Sequence, residues 1–410
     1  MKSPRAHSWI AAALLLATST FGADWPQWRG ANRDDHSPDT STLKSWPATG
    51  PTREWLFTDA GIGYSGFSVV GNRLFTMGGR RDSEHVICLD ATSGKELWAT
   101  PLGAIYGNNW GDGPRSTPTV DGDKVYALSA NGVLGCLSAK DGKRAWEVDL
   151  RKQLGGEIQS WGYTESVLVD KNQVICTPGG SKGAMAALDK NTGKVIWQTA
   201  EVTDAAQYAS PIIAESGGQR QYVQLLMRKL IGVNPKDGKL LWQTNFPGRT
   251  AVIPTPIYHA GHVYVTAGYG VGCQLIKLGP TPEVVYENNV MVNHHGGVVL
   301  VDGKIYGHSD KGGWTCQDFA SGEKVWQSEK LGKGACTSVA GQLICVDEKD
   351  GTVVLADASP KGWNEKGRFK LDPQTKLRKP QGHIWTHPVV VNGRLYLRDQ
   401  DLIYCYNVKG

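Results

Sequence analysis

Hydrophobic and polar residues alternate along this chain in short runs, as in Lys124-Val-Tyr-Ala-Leu128 and Arg394-Leu-Tyr-Leu-Arg398. A period of two predicts half-buried β-strands, and the pattern argues for many short strands rather than helices. Turn signals interrupt these runs at Gly71, Asp121-Gly122, Asp170-Lys171, Gly217-Gly218, Ala260-Gly261, Asp302-Gly303, Ala340-Gly341 and Asn392-Gly393, which makes eight hairpins. A second hairpin follows most of them in a recurring phrase. It reads Leu89-Asp-Ala-Thr-Ser-Gly-Lys-Glu-Leu-Trp98, then returns in closely similar form ending at Trp146, Trp197, Trp242 and Trp326. The tryptophans are 48, 51, 45 and 84 residues apart, so a decayed copy is expected near residues 275–286, midway through the longest gap.

Eight units in about 387 residues give about 48 residues each, and two hairpins per unit give four strands. This predicts an all-β, eight-bladed β-propeller of four-stranded antiparallel blades occupying residues 24–410 as one domain. Closing the ring removes exposed sheet edges. The recurring Trp has a physical role in such a ring: it wedges against the neighbouring blade. The chain ends are expected to meet in one blade, with residues 54–58 beside 402–408. Pro and charge content mark 279–284 and 371–381 as loops.

Composition refines the picture. The chain has 51 Gly and 15 Trp but only 7 Phe, in keeping with frequent turns and a Trp at intervals. Residues 1–23 read as a cleavable signal peptide: Lys2 and Arg5, an apolar run to Ala17, then small residues up to Ala23. That run is too short to span a bilayer, and no Cys follows it to take a lipid anchor. A periplasmic or secreted protein is expected. Without Lys2 and Arg5 the net charge is +3, too weak to argue for nucleic acid or membrane insertion. A monomer is the simplest expectation. Of the eight cysteines, Cys88, Cys136, Cys316 and Cys405 hold matching places in the repeat and are read as small buried apolar residues. Cys336 and Cys345 stand opposite each other across a two-residue turn, in the closer, non-hydrogen-bonded kind of pair. That placement suits either a disulfide or two free thiols.

The Leu-Asp-x-x-Thr/Ser-Gly-Lys-x-x-Trp phrase resembles the tryptophan-docking motif of pyrroloquinoline-quinone (PQQ) repeat propellers, the quinoprotein alcohol dehydrogenase-like superfamily. Asp24-Trp-Pro-Gln-Trp-Arg-Gly-Ala-Asn-Arg33 and Asn293-His-His-Gly-Gly-Val-Val299 resemble a secreted branch of it. The docking Trp is architectural, so the resemblance implies the fold more strongly than an activity. Its dehydrogenases hold PQQ and Ca²⁺ in the central funnel beneath a disulfide between adjacent cysteines, and this chain has no adjacent cysteines.

In a propeller the residues entering each innermost strand converge on the axis. Alignment on the turns gives one ring of Ser65, Thr117, Glu165, Ser210, Thr255, Gly297, Ala335 and His387, and a second, two places earlier, of Gly63, Arg115, Tyr163, Tyr208, Ile253, His295, Lys333 and Trp385. From these, Arg115, Tyr163, Glu165, Tyr208, His295, Trp385 and His387 are the candidate ligand-binding residues. A planar anion such as PQQ or a uronate-like sugar would stack on Trp385 or a Tyr and be gripped by Arg115. The loops Asn108-Asn-Trp-Gly-Asp112 and Ser160-Trp-Gly-Tyr163 are expected on the same face. His294, His295, His383 and His387, with Glu165, have transition-metal donor types. Adjacent strand residues face opposite ways, however, so His294 and His295 are not expected to share an ion, and no metal site is assigned.

Two functions fit. One is an exported binding or scaffold propeller that takes a small molecule, a glycan or a protein partner at its funnel face, with no cofactor required. The alternative is a PQQ- and Ca²⁺-dependent alcohol or sugar dehydrogenase, in which the resemblance implies that Arg115 holds the cofactor carboxylates, Trp385 stacks on its rings and Glu165 serves as Ca²⁺ ligand or base. Catalytic residues are not assigned.

Overall fold

The computed structural model describes residues 24–410; the expected signal peptide lies outside the described residues. Thirty-two strands form eight four-stranded antiparallel sheets, joined by little helix beyond the single turn Leu150–Leu154. Blades one to seven run consecutively through 68–104, 119–149, 168–198, 212–245, 257–288, 298–328 and 334–370. Blade eight is composite: the last three strands of the chain, 389–407, pair with Thr52–Phe57, with Trp55 opposite Cys405. The expected meeting of the chain ends is therefore observed. No described helix is long and apolar enough to cross a membrane.

The repeat phrase closes the blades onto one another as expected. In each phrase the Trp sits opposite a small residue of the preceding strand, such as Cys88 for Trp98 and Ala187 for Trp197. Where the next blade keeps the phrase glycine, the indole lies over it. A Cβ on Gly94, Gly142, Gly193 or Gly238 would come within 2.6, 2.5, 2.8 or 2.4 Å of the docked ring, and each of these glycines has φ near +70°. Only glycine tolerates both demands. The Nε1 atoms of Trp55, Trp98, Trp146 and Trp197 donate to the carbonyls of Ala91, Ala139, Lys190 and Pro235 at 3.1–3.3 Å.

Four blades depart from this docking. Trp326 of blade six meets no turn glycine; its Nε1 donates to Ser359 O of blade seven and its ring packs edge-on against Trp363. In the decayed copy, Tyr286 takes the Trp place opposite Leu275, and its hydroxyl donates to Phe319 O of the next blade. Trp242 lacks a turn glycine to dock on, because blade five is the decayed one. It lies over Gly232 of its own blade and donates to Gln221. In blade seven Gly367 stands opposite Leu355, where a Trp would be, and Trp46 from the N-terminal segment covers it. Of the two expected loops, 371–381 is irregular, whereas the strand Glu283–Asn288 begins inside 279–284. Cys336 and Cys345 are register partners, and all eight cysteines are free and buried. Burial pushes the Cys336 thiol up to about 12.

The axis is not empty. Residues 24–39, just before the closing strand, run up the central channel and back down, and they bond to the innermost region of every blade. Trp25 exchanges backbone bonds with Val69 of blade one, and Val120 of blade two donates to Pro26 O. The Arg33 guanidinium donates to Ser166 O, Val167 O and Pro211 O at blades three and four. Trp28 Nε1 donates to Thr255 of blade five, Arg29 to Val298 O of blade six, and Ser37 to Ser338 O and Val390 O of blades seven and eight. Arg29 and Asp35, 2% and 1% exposed, form a buried ion pair at 3.0 Å. Isolated buried charge is costly, so pairing Arg29 and satisfying Arg33 with three carbonyls is what makes this plug stable inside the ring.

A blind cup at the funnel

Above the plug lies a cavity of about 440 Å³, within the size of small-ligand sites. Its wall follows a simple count. The residue seven places before the first turn residue of each inner hairpin is Tyr64, Arg115, Thr164, Ser210, Ile253, His295, Lys333 and Trp385, and all eight line the cavity. Thr255, Gly297 and His387 lie two places further in, Tyr208 comes in from the strand approach, and Trp28 and Arg29 of the plug form the floor.

Five of the seven candidate residues therefore converge: Arg115, Tyr208, His295, Trp385 and His387. Tyr163 and Glu165 do not line the cavity. Tyr163 is 2% exposed, in the core between blades two and three, with its hydroxyl donating to Pro178 O. Glu165 is 1% exposed and accepts from Thr177 N, and burial raises its carboxyl to about 7. The cause is a one-residue slip. The turn of blade three begins at Lys171, one residue later than the Asp170-Lys171 turn read from the sequence, so Thr164 and Ser166 point inward and their neighbours point away. The same slip puts Tyr64, not Gly63 or Ser65, in the wall of blade one.

A chain of ring contacts runs round the wall. Arg115 lies over Tyr64 (5.6 Å), Tyr64 meets Trp385 (4.8 Å), Trp385 meets His295 (5.0 Å), and His295 stacks on His294 (3.6 Å). His294 and His295 were expected on opposite faces, but residues 291–296 are not in a strand, and both rings enter the cavity. His294 Nδ1 meets Lys333 Nζ at 2.7 Å, and Lys333 pairs with Asp310 at 2.8 Å. His295 Nδ1 lies 3.2 Å from Glu348, which His383 also approaches at 3.6 Å. Burial, then the Lys333 charge, pulls His295 down to about 3. That shift favours the neutral imidazole, whose Nδ1 faces Glu348. Glu348, Tyr269 and Trp28 carry no signal in the repeat; only the three-dimensional ring brings them here.

Across the cup, Arg115 donates to Gly111 O and Gly113 O, at 2.6 and 2.5 Å, and is flanked by Tyr64 and Tyr106. These carbonyls fix the guanidinium without neutralising it. Arg115 has no carboxylate within ion-pair distance among the described residues, whereas Arg29 and Lys333, the other lining cations, are each paired.

The donor set does not fit a Ca²⁺–quinone pair. Ca²⁺ takes about 6–8 oxygen ligands, several of them carboxylate. Glu348 is the one carboxylate among the lining residues, and two imidazoles occupy it. Glu165, the expected Ca²⁺ ligand, is buried elsewhere, and no adjacent cysteines cap the funnel. No cluster of three or more His, Cys, Asp or Glu side chains suited to a metal occurs among the described residues.

Fold and site together define an eight-bladed propeller with one blind central pocket. The family model described as outer membrane protein assembly factor BamB matches residues 53–160 and 82–328, and the chain belongs to this family of PQQ-repeat β-propellers in the quinoprotein superfamily. It is 22% identical to the outer membrane protein assembly factor BamB of Yersinia pestis over 323 residues, covering 75% of this chain and 76% of that protein. Over 140 residues it is 31% identical to the quinohemoprotein alcohol dehydrogenase ADH IIB of Pseudomonas putida, covering 32% of this chain and 20% of that enzyme. The crystal structure of BamB from Moraxella catarrhalis superposes with a TM-score of 0.61 at 15% identity, covering 87% of this chain and 99% of that one.

Proposed function

We propose that this protein is an exported binding propeller whose cup takes a small, ring-shaped, acidic ligand, with a uronate-type sugar the best match. The observation that carries this reading is Arg115, a cation without a carboxylate partner, fixed in a wall of aromatic rings. Tyr64, Trp385, Trp110 and Trp161 offer apolar faces to the face of a sugar ring, Ser210 and Thr164 offer hydroxyls, and Arg115 offers a planar fork for a carboxylate. The dehydrogenase alternative is disfavoured because it needs a Ca²⁺ cage that these side chains do not supply.

The test is a titration of purified protein with galacturonate and with galactose, followed by tryptophan fluorescence. A charge-assisted hydrogen bond is worth about 1.5–3 kcal/mol, so the acid should bind about 10- to 100-fold more tightly. Arg115→Ala should abolish that preference. Equal binding of acid and neutral sugar would refute the carboxylate grip. A protein partner seated on the funnel face is the second reading, favoured by similarity to assembly factors over three quarters of the chain. A partner captured equally well by Arg115→Ala, with no sugar bound by either form, would favour it.

A further inference from the structure

The plug decides what the cup can admit. Residues 24–39 enter and leave the channel at the same face. The Asp24 carboxylate accepts from Gly71 N at the inner turn of blade one, and the Asp39 carboxylate accepts from Asn392 N and Gly393 N at the inner turn of blade eight. Between these two ends the segment rises only as far as Trp28 and Arg29, beneath the cup. The face bearing the turns is therefore closed along the axis, and the pocket has one mouth.

Much of that mouth is walled. Lys379 of the loop before blade eight donates to Asn108 O and pairs with Asp112, at 2.9 and 2.7 Å. Tyr64 Oη donates to Trp110 O at 3.1 Å. Asn108 Nδ2 and Tyr106 Oη both donate to Ser160 O at 2.7 Å, and Trp161 N donates to Tyr208 Oη at 3.4 Å. These bonds lace the loops of blades eight, one, two and three into a continuous wall along one side of the mouth, so a chain lying straight across the cup would run into it.

Trp28 is the surface that a ligand pushed into this cup would meet. Its indole is tethered by the bond from Nε1 to Thr255 Oγ1 (2.9 Å) and rests on His387 at 4.6 Å. His387 is itself held by Asp35 of the plug and by His295 O. The platform is therefore fixed from below and from the side.

We infer that the cup recognises the end of a chain: the terminal residue of an acidic glycan enters end-on and stacks on Trp28, which sets the depth of the site. This inference rests on the uronate reading above. A channel open at both faces, or a cleft across the rim, would accept internal residues; a walled cup with a floor accepts a terminus.

The experiment measures dissociation constants for galacturonate oligomers from monomer to hexamer, and for hexamers capped at one end or the other. One cap is a reduced alditol; the other is a 4,5-unsaturated residue. End-on binding requires that one cap weaken binding more than tenfold while the other has little effect, and that affinity per chain level off after the shortest oligomers. Affinity that keeps rising with length and ignores both caps would overturn the inference while leaving the uronate reading intact. Absence of binding by every acidic sugar, monomer included, would refute that reading and this inference together. Trp28→Phe should keep a stacking floor and stay within about threefold of the parent. Trp28→Ala should weaken the monomer at least tenfold while losing less with the dimer, which reaches deeper. An equal loss for monomer and dimer in Trp28→Ala, with an unchanged melting temperature, would contradict Trp28 as the depth-setting platform.

Discussion

Replacing Gly238 by Ala tests how the blades are fastened. Gly238 has φ +72°, and an added Cβ would lie 2.4 Å from the Trp197 ring, closer than any relaxed contact allows. Gly217 provides the control, since its φ is +59° and a Cβ there meets nothing within 4 Å. Gly217→Ala therefore carries only the left-handed backbone penalty, about 1–2 kcal/mol. Gly238→Ala carries that penalty and must also displace the indole or the turn, which adds about 1–3 kcal/mol of overpacking. Removing the indole by Trp197→Ala should itself cost about 3–5 kcal/mol, as core Trp truncations do. In the double variant the clash has gone, so the two changes should fall short of additivity by the overpacking amount. Urea unfolding monitored by far-ultraviolet circular dichroism measures all four stabilities. If Gly238→Ala costs no more than Gly217→Ala, or if the double variant is additive, the docked indole is not what demands glycine in the repeat phrase.

The plug and the buried acids give further expectations. Arg33→Ala strands three buried carbonyls and unfastens the plug, and should lower stability by about 3 kcal/mol and expose residues 24–50 to limited proteolysis; an unchanged digestion pattern would contradict the plug's role. Burial holds Glu165 at about 7 against an ordinary 4.5, so the folded chain keeps a proton that the unfolded chain loses in that range. Its contribution is complete below about pH 4.5 and is lost as pH rises through 7. Glu165→Gln should flatten that part of the stability profile, and an unchanged slope would refute the assignment. Alkylation of the denatured, unreduced protein followed by mass spectrometry should find Cys336 and Cys345 modified singly, as free thiols; a linked pair would contradict the structure.

Most of the architecture was legible because a propeller writes its period into local sequence. The phrase ending in Trp, the two-residue turns and the eightfold count are short-range features, and each maps onto one strand or one turn. Trp55 and Trp46 were not legible as docking residues, because their partners lie at the other end of the chain or in a blade whose own phrase has lost its Trp. The cup was half legible. Arg115, His295, Lys333 and Trp385 follow from counting back from a turn, and Tyr163 and Glu165 were misplaced because a strand's facing flips with a single residue. The plug was hidden for a different reason: residues 24–39 have no repeat, and their bonds are spread over all eight blades. Two arginines and two tryptophans packed into a short segment outside the repeat were the available sign that it is buried.

A crystal structure of residues 24–410 soaked with galacturonate tests the carboxylate grip and the plugged channel together. The sugar should sit in the cup, its ring over Trp28 and its carboxylate within hydrogen-bond distance of Arg115, with residues 24–39 filling the channel below. A vacant cup beside an open channel, or the sugar seated with its carboxylate away from Arg115, would contradict that arrangement.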